Sequence, residues 1–132
     1  MTPIFPVLET KNGSDLELPI TEYLENIFDC RETCFKTEYV FSAENFHGQV
    51  RTPRKIVQKV KAISGTSCDF HDLRRTFATT AEHLDVGTYK LKRLMNHATN
   101  RNDVTAGYVI LTAETLKKSA ERIQEQLIIY MR

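Results

Sequence analysis

Apolar and polar positions change period along this chain, and the changes mark its elements. Ile4 to Leu8 is a short apolar run interrupted by Pro6, and Leu16 to Ile20 alternates apolar and acidic residues as far as Pro19. Between the two runs, Asn12-Gly13 tolerates positive φ at both positions, the strongest local signal for a hairpin. A β-hairpin over residues 4–20 follows, with Lys11 at its tip or just before it. Pro19 has no N–H to give, so it makes the second strand an edge or marks its end.

The period then becomes helical. Thr21 reads as an N-cap with Glu22 and Glu25 in the first turn. Leu24, Ile27, Phe28, Arg31 and Phe35 fall on one face of a helix running to about Lys36. Residues 38–45 read as extended or irregular, and His47-Gly48 to Pro53 as a loop. Arg54 to Ile63 reads as a basic helix with Ile56, Val57, Val60 and Ile63 apolar, closed by Ser64-Gly65. Asp69 to Leu84 carries the stripe Phe70, Leu73, Phe77, Ala81 and Leu84, and Leu73 and Phe77 can anchor it to a core. Gly87 breaks that helix, and Thr88 can cap another over 89–96 with Leu91, Leu94 and Met95 inward. Residues 104–111 are ambiguous: Thr105, Tyr108, Val109 and Ile110 favour strand, while position 107 is glycine. Residues 114–132 are a clear helix, with Leu116, Ala120, Ile123, Leu127 and Tyr130 or Met131 at spacings of three and four. The fold class expected is α+β, mainly α: one partial domain over 1–132, with a β-hairpin at 4–20, a helical core at 21–111 and a terminal helix at 114–131.

Composition excludes several classes. The chain has 132 residues, 41% hydrophobic and 27% charged, which is ordinary for a globular domain and argues against wholesale disorder. No run of apolar residues is long enough to span a bilayer. Residues 1–9 lack the basic and apolar segments of a secretory signal, so the expected compartment is cytoplasmic. The three cysteines are an odd number, so a disulfide framework does not organise the fold. Cys30 and Cys34 stand four apart on a helix and read as buried thiols; Cys68 reads as structural.

Charge matters once it is divided along the chain. The net charge is +1, yet residues 1–50 hold three Lys/Arg against nine acids, and residues 51–101 hold eleven against four. A basic block inside a neutral chain points to a phosphate-bearing partner, or else to a solvated face balanced by its neighbours.

The block contains His71-Asp72-Leu73-Arg74-Arg75-Thr76-Phe77-Ala78-Thr79. His71 and Arg74 stand three apart and project from one helical face, where a planar guanidinium and a ring N–H can grip one anion. Leu94-Met95-Asn96-His97 follows, and then Asp103-Val104-Thr105-Ala106-Gly107-Tyr108. Taken singly, each has a plain alternative: a surface pair on an amphipathic helix, a His capping the 89–96 helix, a core tyrosine. In this order they resemble the tyrosine recombinases, the phage-integrase family, of the kind found in prophages and genomic islands. Thr10-Lys11-Asn12-Gly13-Ser14 resembles the family's β-hairpin, and the likeness runs from about Glu9 to Leu127.

The resemblance implies a DNA breaking-rejoining fold and a site-specific recombinase acting in DNA integration. It implies Tyr108 as the nucleophile that forms a 3′-phosphotyrosine, and Arg74 as one of two arginines on the phosphate. His71 and His97 bracket the same phosphate, and Lys11 protonates the departing 5′ oxygen. Arg51, Arg54, Lys55, Lys59, Arg75 and Arg101 are expected along the DNA. The implied partners are double-stranded DNA and further copies of the protein assembled on it, with no cofactor and no metal. The 114–132 helix either docks on a neighbouring copy or packs on its own core.

One departure qualifies this. The family's first arginine precedes the hairpin lysine, and in this sequence nothing basic precedes Lys11; Arg31, Arg51 and Arg54 all follow it. The chain is therefore expected to be the C-terminal part of an integrase catalytic domain with a truncated or artificial start, and nearly inactive alone. The alternatives are a DNA-binding remnant without catalysis and, more distantly, a metal-dependent hydrolase using His47, His71, His83 and His97. His47 and His83 match no family motif and read as structural or solvated, and the four spacings do not suit a zinc site.

Overall fold

A computed structural model describes residues 3–7, 16–34, 37–45, 48–51, 53–97 and 109–132. Its elements are β1 (Ile4–Val7), β2 (Leu16–Pro19), α1 (Glu22–Cys34), α2 (Arg54–Ser64), α3 (Phe70–His83), α4 (Thr88–Leu94) and α5 (Ala113–Tyr130). The fold is mainly helical with a small antiparallel sheet. No helix among the described residues is long and apolar enough to cross a membrane. The chain divides into two compact units, and the division falls inside α3: residues up to Thr21 and from Thr76 onward make one, Glu22 to Arg75 the other.

The first unit holds the core. β1 and β2 pair in the register Ile4↔Pro19, Phe5↔Leu18, Pro6↔Glu17 and Val7↔Leu16. Both prolines are tolerated because each strand of a two-stranded sheet has one unpaired side. Leu16 and Pro19, at the two ends of β2, are buried, Leu18 is half-buried and Glu17 is exposed. α5 packs against β2. Beside that junction the buried Thr21 hydroxyl donates to Oε1 of Gln124 on α5. The pattern makes Thr21 a cap for α1; in the fold its hydroxyl instead ties the end of the sheet to the terminal helix.

Ala81, Val86 and Ile123 form the buried centre, with Phe77, Leu84, Leu91, Leu94 and Leu127 around them. The last turn of α3 is built for this. Asp85 takes a left-handed φ of 52°. The Val86 N–H then bonds the Ala81 carbonyl at 3.0 Å, and the Asp85 N–H bonds the Glu82 carbonyl at 3.0 Å. These paired bonds are a Schellman turn, which throws the residue after the αL position back onto the helix. Val86 accordingly meets Ala81 in the core. α5 begins at Thr112, whose hydroxyl accepts the Thr115 N–H at 3.2 Å. Leu116, Ser119 and Ile123 are its buried face. The stripe ends at Leu127; Ile129, Tyr130 and Met131 are exposed.

The second unit, among its described residues, has no fully buried side chain. The helices form where the pattern predicts them, but their stripes are not covered. Leu24 and Ile27 on α1, Ile56, Val60 and Ile63 on α2, and Phe70 and Leu73 on α3 are all exposed, Ile63 at 78%. Leu73 therefore does not anchor α3, although Phe77, one turn on, does. Cys30 is exposed rather than buried, and Cys68 is half-buried. Arg31 lies over the Phe41 ring, 5.3 Å from its centroid, with its Nε donating to the Val40 carbonyl. Ser42 and Gln49 pair in an isolated antiparallel bridge. α2 ends at Gly65, whose φ of 70° favours glycine.

Candidate functional site

The sequence places its catalytic candidates in four stretches, at Lys11, at His71 and Arg74, at His97 and at Tyr108, and the structure describes the second and third. His71 and Arg74 are both exposed on the first two turns of α3. Three residues apart, they are separated by about 60° around the helix and about 4.5 Å along it, close enough to meet one phosphate.

The start of α3 is fixed by a reciprocal pair of bonds. The Asp69 N–H donates to Oδ2 of Asp72 at 3.0 Å, and the Asp72 N–H donates to Oδ1 of Asp69 at 2.9 Å. This is a capping box with aspartate at both ends. The Asp72 N–H first, and then the His71 N–H and the His71 ring, hold the Asp69 carboxyl below its ordinary value of 3.8, against the opposing effect of burial. His71 therefore sits one residue inside a helix start at which the Asp69 and Asp72 N–H groups are already bonded. Asp72 also faces Arg75, with Nη1 to Oδ1 at 4.0 Å between exposed side chains. Such a pair is weak in water, so it leaves Arg75 open to exchange its partner for a phosphate. Apolar periodicity misses this capping box, although its signal is present: Asp69, three residues before Asp72, at the head of an apolar-periodic stretch.

His97 is delivered by a second Schellman turn. Asn96 takes a φ of 49°. Its N–H bonds the Arg93 carbonyl at 3.1 Å, and the His97 N–H bonds the Lys92 carbonyl at 2.9 Å. α4 starts one residue earlier than expected, with Gly87 rather than Thr88 at its cap, and ends at Leu94. It is His97's backbone, not its imidazole, that closes the helix, and the residue is exposed. His71 and Arg74 belong to one compact unit and His97 to the other. Tyr108, Lys11 and Arg101 lie outside the described residues, as does His47; His83 is exposed at the end of α3.

The basic block divides. Arg51, Arg54 and Lys55 line one open groove of about 610 Å³, together with Ala43, Glu44, Asn45, Val50, Pro53 and Ile56. Lys59 does not line it, but four residues after Lys55 it lies on the same side of α2. All four cations are exposed. α2 begins after Pro53 with no side-chain cap and no acid in its first turn, so the positive end of the helix adds to Arg54 and Lys55. Glu44 is the acid in the groove. Among the described residues no three His, Cys, Asp or Glu side chains converge as metal ligands would.

Compared with protein-family models, with curated proteins and with solved structures, the chain finds no match in any of the three.

Proposed function

We propose that this chain carries the chemistry of a site-specific DNA recombinase, breaking and rejoining strands through Tyr108. The observation that carries the proposal is the ordered set His71-x-x-Arg74, His97 and Tyr108. Its support in the fold is that His71, Arg74 and His97 are all exposed, and that the two histidines are oriented by helix-end devices rather than consumed by packing.

The chemistry balances without a redox partner. The Tyr108 phenol gives its proton to a neutral imidazole of the site, His71 or His97, as its oxygen attacks phosphorus. The P–O5′ bond breaks, the 5′ oxygen takes a proton from Lys11, and a 3′-phosphotyrosine remains. A phenol titrates near 10, so attack and proton loss must be coupled. Negative charge grows on the non-bridging oxygens, where Arg74, His71 and His97 stabilise the transition state more than the ground state. The phosphotyrosine conserves the bond, so a second 5′ hydroxyl reverses the step and exchanges strands. Arg51, Arg54, Lys55 and Lys59 hold the backbone of duplex DNA. DNA integration is the biological setting this chemistry fits, with several copies assembled on the DNA.

The second reading is a DNA-binding chain without catalysis, which the groove at the start of α2 serves equally. The test is a covalent adduct on a nicked trapping duplex. Among these 132 residues no arginine precedes Lys11, and one charged donor on the phosphate is worth about 2.7–4 kcal/mol of barrier. A methylphosphonate at the scissile position removes the charge that such a donor would neutralise. Adduct is expected on the methylphosphonate, little on the natural phosphate, and none with Tyr108→Phe. Adduct that survives Tyr108→Phe sinks the assignment; binding without adduct on either substrate favours the second reading.

A further inference from the structure

The helix before His97 has a surface of its own. α4 has seven residues, of which Lys90, Lys92 and Arg93 are cations and none is an acid. Leu91 and Leu94 pack on the core formed by Ala81, Val86 and Ile123. At about 100° per residue, that seating turns Tyr89, Lys92 and Arg93 to the opposite side of the helix. Lys92 Nζ stands 5.9 Å from the centroid of the Tyr89 ring, and Arg93 is exposed.

The cations of α5 supply the contrast. Lys117 pairs with Glu121 at 3.8 Å, Lys118 with Glu114 at 4.0 Å, and Arg122 Nη2 donates to the Leu84 carbonyl at 2.9 Å. Among the described residues no carboxylate pairs with Lys90, Lys92 or Arg93. Lys92 and Arg93 stand in the last turn, where a cation also suits the negative end of a helix. That effect does not reach Lys90 in the first turn, and it requires neither three cations nor an aromatic ring beside them.

We infer that the outward face of α4, Tyr89 with Lys92 and Arg93, is a second surface that binds the backbone of duplex DNA. Arg93 stands four residues before His97 and is joined to it by the Schellman turn at Asn96. The inference rests on the DNA reading proposed above and adds a surface which that reading does not use. The face grips phosphates beside the one His97 serves, and so sets the register of the duplex on the first unit.

The experiment measures affinity for duplex DNA against salt in the 132-residue chain, for the wild type, Lys92→Gln/Arg93→Gln and the control Lys118→Gln. Every phosphate that goes un-neutralised flattens the log–log slope by about 0.9. The double variant is expected to lose about 1.8 and to keep the wild-type melting temperature; the control is expected to follow the wild type. Parallel lines for wild type and double variant overturn the α4 surface while leaving the DNA reading intact. Absence of salt-dependent binding in the wild type overturns both. An equal flattening in Lys118→Gln overturns the α4 assignment by showing that any surface cation gives the effect.

Discussion

Replacing Ile123 with alanine asks whether the terminal helix belongs to its own core. Ile123 has 0% of its surface exposed and sits with Ala81 and Val86 at the centre of the first unit. Alanine removes three buried carbons, about 2.4 kcal/mol of transfer energy at about 0.8 per methylene. An unrelaxed cavity adds to this, and measured Ile→Ala changes run to about 2–5 kcal/mol. A 132-residue chain has a stability on the order of 7–20 kcal/mol. With only Leu16, Ala81, Val86, Leu116 and Ile123 as buried hydrophobics among the described residues, the lower end is expected. A loss of about 3 kcal/mol then lowers the midpoint by about 10–15 °C. Thermal melts followed by far-ultraviolet circular dichroism measure it, with Ile129→Ser and Met131→Ser as controls on the exposed end of α5, each expected within about 0.5 kcal/mol of wild type. If Ile123→Ala melts with the wild type while the exposed-end variants lower the midpoint or change the oligomeric mass, α5 is held by a neighbouring copy and the packing argument is wrong.

Two further outcomes follow from the site. Asp69 has a depressed pKa in the folded chain, so its contribution to stability is complete above the unfolded value near 3.8 and is lost as pH falls through the lower folded value. Asp69→Asn keeps a capping side chain and removes the titration, so acid melts below about pH 4 should be less steep in the variant; identical slopes would show that the capping box does not persist in solution. Changing Arg54, Lys55 and Lys59 to Ala should flatten the salt dependence of duplex binding by about 0.9 log units for each phosphate no longer neutralised, for unrelated sequences alike, and an unchanged slope would move the DNA away from the groove at α2.

The helices are legible because helical spacing depends on local sequence alone. Arg54–Ser64 with its glycine stop and Ala113–Tyr130 fall within a residue or two of the pattern. What covers a stripe is not local. Leu73 and Phe77 are equivalent by spacing, yet one is exposed and the other packs on the core, because only the second half of α3 belongs to α5's unit. The same limit explains Cys30, buried by pattern and exposed in the fold. Thr21 shows the reverse error: a capping letter at a helix start is claimed by Gln124, 103 residues away, which no window on the sequence could include.

The site motifs themselves contain two kinds of letter. In His71-Asp72-Leu73-Arg74-Arg75, the imidazole and guanidinium lie on exposed positions, while Asp72 closes the capping box with Asp69. In Met95-Asn96-His97, Asn96 holds the left-handed turn that ends α4 and sends the chain into His97. Asparagine tolerates that backbone where a branched residue is strained. A search for chemistry picks out histidines and arginines and passes over the letters between them. Here those letters set the position of the histidines relative to their helices: one lies just inside a start, the other just past an end. A helix start offers positive potential to an anion and a helix end does the opposite, so the two imidazoles meet different fields. At His97 the cations of α4 offset the negative end. That gives Lys92 and Arg93 a reason to stand where they do, alongside the phosphate binding inferred for them.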